Sequence, residues 1–174
     1  MKREDLIAPN KYNLVSEIEK YANDKTKLAL KWESEQGETK EITYARLIEQ
    51  ANRIGNVFSK HGLKKGDIIL VIVPRMIEAY QVYIGALKSG IVVIPSSEML
   101  RAKDLQYRIV HGDVKGIVSY YEFAGQFSDL KEIDSLPKFV VGEPVEGWIH
   151  MEEEMETVSS ELPLADTSKD DMAF

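Results

Sequence analysis

Residues 62–97, GLKKGDIILVIVPRMIEAYQVYIGALKSGIVVIPSS, constrain the fold more than any other stretch. They hold two apolar runs, Ile68-Ile69-Leu70-Val71-Ile72-Val73 and Ile91-Val92-Val93-Ile94, closed by Pro74 and Pro95. Neither run alternates with polar residues, so neither keeps a face for water. Strands of that kind belong to a sheet covered on both sides. Between them, Ile77, Tyr80, Ile84 and Leu87 recur at helical spacing, and Gly90 stands where a helix wants a left-handed residue. Strand, helix and strand make one βαβ unit, whose crossover is right-handed because strands twist.

The same grammar extends in both directions. Thr43 can cap a long helix whose residues Tyr44, Leu47, Ala51, Ile54 and Phe58 form one apolar seam. Lys60 and His61 fill its last turn, where cations suit the helix dipole, and Gly62 stops it. A further helix over residues 102–111 uses Leu105, Ile109 and Val110, and Gly112 closes it. Gly116-Ile117-Val118 and Phe139-Val140-Val141 read as third and fourth core strands. Strand starts near Ile68, Ile91, Gly116 and Phe139 lie 23, 25 and 23 residues apart. Strands alternating with helices at this spacing predict an α/β fold, a doubly wound, mainly parallel sheet with flanking helices.

Towards the amino terminus, Asn13 is placed to cap a helix with Leu14, Val15, Ile18 and Tyr21 as its stripe. Leu28, Leu30 and Trp32 alternate, Gly37 lies in a polar turn, and Glu41-Ile42-Thr43 returns, which predicts a peripheral N-terminal hairpin. After Gly142 the pattern dissolves. The expected division is an arm over residues 1–12, the α/β unit over 13–156, and a surface linker rich in Ser, Asp, Glu and Pro over 157–174. The apolar residues that end this linker suggest the start of another strand, and so a chain cut from a longer one.

Composition removes several classes of function. A net charge of −7 over 174 residues disfavours a nucleic-acid partner, which needs a basic face against phosphates. Without cysteine there are no disulfides or thiolate metal sites. No apolar run reaches the roughly 20 residues a membrane span needs. The opening Met1-Lys2-Arg3-Glu4-Asp5 leads into no signal-peptide core. The expected location is cytoplasmic.

The chemistry-bearing residues are sparse. No glycine-rich turn follows a strand, and the prolines that do follow donate no N–H to a phosphate. Asp67 lies at the wrong end of its strand for a phospho-acceptor. His61, His111 and His150 are isolated, and the first two read as helix-end residues. Glu152, Glu153, Glu154 and Glu156 read as a solvated helix start or linker rather than a cation site, and Met99, Met151 and Met155 as packing residues. Arg75, Ser96 and Ser97 hold the best general position, at the carboxyl ends of strands where open α/β sheets keep their ligand crevice. Turn chemistry explains them equally well, and Ser97 has no nearby His and Asp to form a triad. No catalytic residue and no metal ligand is assigned.

Three segments in order carry a resemblance. Thr43-Tyr44-Ala45-Arg46-Leu47 opens the long helix, and Gly62-Leu63-Lys64-Lys65-Gly66-Asp67 precedes the first core strand. Leu87-Lys88-Ser89-Gly90-Ile91-Val92-Val93-Ile94-Pro95 follows. This succession resembles the amino-terminal part of the adenylate-forming enzymes, and residues 94–109 are most similar to the medium-chain acyl-CoA synthetases. Ser89 and Ile91 depart modestly from the alanines usual there.

The resemblance implies an ATP-dependent, AMP-forming ligase that joins a carboxylic acid to CoA, with ATP, Mg²⁺ and CoA serving the full-length enzyme. In that family the phosphate loop, the adenine-, magnesium- and CoA-binding segments and the catalytic lysine lie beyond the region matched here. The chain alone is therefore expected to be inactive, to bind none of these groups tightly, and to self-associate through surface left uncovered. The alternative is a free-standing flavodoxin-like or Rossmann-like binding module without catalysis.

Overall fold

Five parallel strands form the centre of a computed structural model that describes residues 7–174. The first six residues of the expected arm lie outside the described residues. In chain order the elements begin with α1 (Ser16–Glu19), the hairpin β1 (Leu28–Glu33) and β2 (Thr39–Thr43), and α2 (Tyr44–Lys60). The βαβ unit is β3 (Ile68–Ile72), α3 (Ile77–Lys88) and β4 (Val92–Pro95). Then come α4 (Ala102–His111), β5 (Val114–Tyr120), two 3₁₀ turns, β6 (Lys138–Val141), β7 (Ile149–His150) and α5 (Met151–Glu156).

The central sheet runs in the order β4-β3-β5-β6-β7, with every pairing parallel. Successive side chains on a strand point to opposite faces, and here both faces are covered. Ile69 and Val71 pack with Val118 and Phe139 against Ile54, Phe58 and Met151 of α2 and α5 and Val82 of α3. Leu70 and Ile72 face the other way, into Leu105 and Ile109 of α4 and Phe127 of the first 3₁₀ turn. The doubly wound expectation holds. A third cluster lies outside α2 and α3, where Ile42 of the hairpin meets Leu47, Ile48, Ile77 and Ile84. Each large aliphatic or aromatic side chain taken out of water stabilises the fold by about 1.5–3 kcal/mol. The ring of Phe58 also meets Phe139 edge-on at 5.2 Å.

Local signals set the element ends as expected. Thr43 accepts a hydrogen bond from Arg46 N at 3.3 Å and starts α2, and Gly62 follows it at φ 86°. Gly90 ends α3 at φ 72°. At the end of α4 the left-handed residue is Asp113, φ 48°, while Gly112 stays helical.

Other elements differ from expectation for identifiable reasons. α1 is a single turn that begins after Val15; Asn13 Oδ1 accepts from Val15 N at 3.1 Å, while its amide donates to the Leu87 and Lys88 carbonyls at 3.1 and 3.3 Å and so ties the turn to the end of α3. A register shift between Leu28 and Leu30 breaks the alternation of β1 and leaves Leu28 exposed. Val110 is 57% exposed, since it sits 100° round the helix from Ile109. Beyond Gly142, where no pattern was legible, stand the two-residue strand β7 and the short helix α5.

The segment after α5 runs back along the helical layer. Asn52, Arg53 and Asn56 of α2 donate to the carbonyls of Met155, Val158, Ser159, Ser160 and Glu161. At its end, Ala173 O accepts from Val93 N of β4 at 3.0 Å.

Candidate functional site

A parallel sheet gathers the carboxyl ends of its strands on one edge, and connections leave that edge in opposite directions at one point. Here the chain goes from β3 to β4 on one side, then returns past β3 to β5 on the other. The reversal falls between β3 and β5, where open α/β sheets leave a crevice.

The first wall is the loop after β3. Pro74 O accepts from Met76 N at 2.7 Å, and Arg75 O accepts from Trp32 Nε1 at 2.8 Å, which ties this loop to the hairpin. The Arg75 side chain is exposed. Ser96 and Ser97 follow β4, one strand further out. Ser96 N donates to Val71 O at 2.9 Å and extends the ladder, while its hydroxyl donates to Ile94 O at 3.4 Å. Ser97 Oγ accepts from Met99 N at 3.2 Å, a turn-forming contact. The three candidates thus share the edge of two neighbouring strands, with only Arg75 beside the reversal, and among the described residues no hydrogen bond joins them.

The second wall is made by residues that the sequence did not single out. Tyr120 and Tyr121 follow β5 with ring centroids 4.6 Å apart, and Tyr120 stands 6.1 Å from Phe123. Gly142, at the end of β6, has φ 92°, and a Cβ there would lie 2.7 Å from the Tyr121 ring. Close approach of backbone to ring therefore requires glycine. The Tyr121 hydroxyl donates to Glu122 at 3.2 Å, which raises its pKa above the ordinary tyrosine value.

Next to these rings, His150 and Glu152 grip the Gly142 peptide from both sides. His150 Nε2 donates to Gly142 O at 2.7 Å, and Gly142 N donates to Glu152 Oε1 at 3.0 Å. The imidazole also lies 3.3 Å from Glu152 and 3.4 Å from Glu153. Burial pulls its pKa down, but the Gly142 carbonyl and both carboxylates outweigh burial and the net displacement is upward. Of the other histidines, His61 pairs with Glu154 at 3.0 Å and meets Phe139 edge-on, while His111 packs against Tyr107. A tyrosine pair after a strand is the only sequence signal that could have marked the second wall.

The edge offers an exposed guanidinium, two hydroxyls and an aromatic wall. It can bind and orient. Among the described residues no group of three or more metal-ligating side chains converges, and both proline-ended strands lack the run of N–H groups that a triphosphate needs. This strand order is also the one expected of a flavodoxin-like module, so topology alone does not separate the two functional readings.

Similarity to known proteins does separate them. The family model described as AMP-binding enzyme matches residues 18–174. Over all 174 residues the chain is 51% identical to YtcI of Bacillus subtilis, an uncharacterized acyl–CoA ligase, of which it covers 33%. Over 90% of the chain it is 29% identical to the human mitochondrial acyl-coenzyme A synthetase ACSM1, covering 29% of that protein. The chain thus spans about a third of the length of these relatives.

Among solved structures, the anthranilate CoA ligase AuaEII in complex with anthranoyl-AMP superposes with a TM-score of 0.88 at 21% identity, covering 99% of this chain and 33% of that one. ATP-bound MatB from Rhodopseudomonas palustris superposes with a TM-score of 0.77 at 23% identity, over 92% and 31%. These two likenesses concern the fold. The chain belongs to the AMP-binding enzyme family.

Proposed function

We propose that this chain is the sheet-bearing, amino-terminal part of an ATP-dependent, AMP-forming acyl-CoA synthetase. The observation that carries the reading is 51% identity to an acyl–CoA ligase along every one of the chain's residues. In the reaction of the longer protein, a carboxylate oxygen attacks the α-phosphorus of ATP and pyrophosphate leaves. The CoA sulfur then attacks the acyl carbon, the carbon–phosphate oxygen bond breaks, and AMP departs with the thioester formed. Magnesium would normally accompany such a nucleotide, but no cluster among the described residues fits it.

What these residues contribute is positioning. The buried strands β3 and β5 fix the loop of Arg75 and the Tyr120–Tyr121 pair at one edge, where they are available to border the acid or the thiol. Arg75, Ser96 and Ser97 are proposed as contacts there, and none as a group that makes or breaks a bond. In this reading the sequence divides into an arm over residues 1–12, the α/β unit over 13–156 and a linker over 157–174, the longer protein resides in the cytoplasm, and the chain by itself self-associates.

The test compares the longer protein with this chain. Each is incubated with ATP, magnesium, CoA and a panel of aliphatic and aromatic carboxylic acids, and pyrophosphate and acyl-CoA are measured. The longer protein should form acyl-CoA with at least one acid, and the chain alone should release no more pyrophosphate than a boiled control. Pyrophosphate release by the chain alone would overturn the scaffold assignment. A longer protein that binds ATP yet forms no thioester with any acid would overturn the ligase.

A further inference from the structure

One buried residue holds two segments, far apart in sequence, to the helical layer. Lys88, in the last turn of α3, is 1% exposed. Its ammonium donates to Glu19 Oε1 of α1 at 2.5 Å and to Asn52 Oδ1 of α2 at 2.7 Å. Asn52 passes the connection on, donating from Nδ2 to Ser160 O at 2.8 Å. The main chain of Lys88 repeats the pattern, for its carbonyl accepts from Asn13 Nδ2 at 3.3 Å and from Ala165 N at 2.9 Å. Both ends of one residue therefore reach the segment around α1, residues 10–22, and the strap at residues 157–171.

The two segments also hold each other. Tyr12 N donates to Thr167 O at 2.9 Å, the Thr167 hydroxyl donates to Tyr12 O at 2.7 Å, and Lys169 N donates to Asn10 O at 3.1 Å. Lys11 and Ser168 form an antiparallel bridge. A ribbon this short is not stable by itself, and neither is a one-turn helix. Each segment needs the other, and both need Lys88.

A buried ammonium is costly unless its partners are in place. Among the described residues, losing Glu19 leaves that charge with Asn52 alone and draws Lys88 towards water. Asn52 then gives up the orientation in which it holds Ser160. Loss of the strap acts in reverse, because Asn52 is free to turn and Ala165 no longer occupies the Lys88 carbonyl.

We infer that residues 10–22 and 157–171 form a single latch, hinged on Lys88, that closes and opens as one unit. Its state has a consequence at the sheet, because the strap continues to Ala173, which covers Val93 N on the outer edge of β4. An open latch leaves that edge free to pair. The inference goes beyond the ligase proposal and does not depend on it.

Residue-resolved hydrogen exchange on the purified chain tests the latch through two substitutions on opposite sides of it. Glu19→Gln weakens it at α1. Leu162→Ala loosens the strap where that side chain meets Gly55. Coupled sites shift each other by equal factors, about fivefold at the low end. Each substitution should therefore speed exchange at least about fivefold both at Ile18 and Ala22 and at Ala165 and Thr167, with β3 and β5 still protected. Faster exchange confined to the substituted segment, no change in either, or an equal rise in β3 and β5 would overturn the latch.

Discussion

His150 shows how a single ring reports its surroundings. Among the described residues its polar partners are all acceptors: the Gly142 carbonyl at 2.7 Å and the carboxylates of Glu152 and Glu153 at 3.3 and 3.4 Å. A neutral imidazole spends its one N–H on Gly142 and turns a lone pair towards Glu153, whereas the imidazolium presents N–H groups on both sides. The folded-state pKa is raised accordingly, even though Nδ1 is buried without an aligned hydrogen-bond partner. A raised pKa gives a stabilising contribution that is complete below the unfolded value, about 6.5, and is lost as pH climbs through the folded value. The urea midpoint of the chain should therefore fall as pH rises from below about 6.5 through the folded-state value, and His150→Gln should flatten that fall. An unchanged slope in the variant would mean that His150 is not the titrating group. Glu154 works in the opposite sense, since hydrogen bonds from Lys60 and then His61 lower its pKa, so its contribution disappears as pH drops through the folded value.

The packing of α2 on α3 turns on two glycines. A Cβ on Gly85 would sit 2.6 Å from the Ala51 carbonyl and 3.2 Å from Gly55 N, so α3 could carry alanine there only by backing away from α2. A Cβ on Gly55 would meet first the side-chain ends Leu162 Cδ2 and Ser89 Oγ, at 2.4 and 2.6 Å, and only then backbone, the Gly85 carbonyl at 3.1 Å, so most of its crowding can be relieved by side-chain movement, at the expense of the Leu162 contact that helps hold the strap. Alanine favours a helix over glycine by about 1 kcal/mol in both cases. Gly85→Ala should nonetheless destabilise the chain by about 2 kcal/mol, in the range of core overpacking, and Gly55→Ala by less than about 1 kcal/mol. Equal urea midpoints for the two variants would show that the helices are free to separate at this crossing. The contrast also marks what the sequence could disclose. The α2 seam was legible because Leu47, Ala51, Ile54 and Phe58 all turn inward, as helical periodicity demands. In α3 the expected stripe is only partly right: Ile77 and Ile84 are buried but Tyr80 is 45% exposed. That helix lies between the sheet and α2, so Ala79, Val82 and Ala86 form a second buried side that one stripe cannot describe. A close-approach glycine has no signature of its own, because its meaning lies in the neighbouring helix. The candidate site shows the same division. Strand ends located Arg75, Ser96 and Ser97, but on the opposite wall the tyrosines after β5 carry no charge to mark them, and His150 stands on the two-residue β7, too short for any periodicity.

At the scale of the whole molecule, association is decided by which uncovered surface can pair. Strand edges are poor candidates while the latch is closed. On the outer side of β4, Val93 N is already taken by Ala173 O and Pro95 has no N–H, and the opposite edge is the two-residue β7. The α4 layer is different. Only Leu105 and Ile109 of that helix are buried, while Tyr107 and Val110 lie one turn apart on its outer side at 63% and 57% exposure. Met99, in the loop ahead of the helix, is 85% exposed. Arg101, Lys103 and Arg108 lie in or next to this helix alongside Asp104, in a chain whose net charge is −7. The expected contact is this α4 surface against a second, net-acidic copy, and such an interface would weaken with salt because ion pairs across it are screened over about 8 Å at physiological ionic strength. Sedimentation equilibrium of the chain should show association that declines as salt is raised and that is abolished by Tyr107→Glu combined with Val110→Lys. Association that survives both changes but is lost when Val93 is replaced by proline would place the contact at the β4 edge, and with it the latch in an open state.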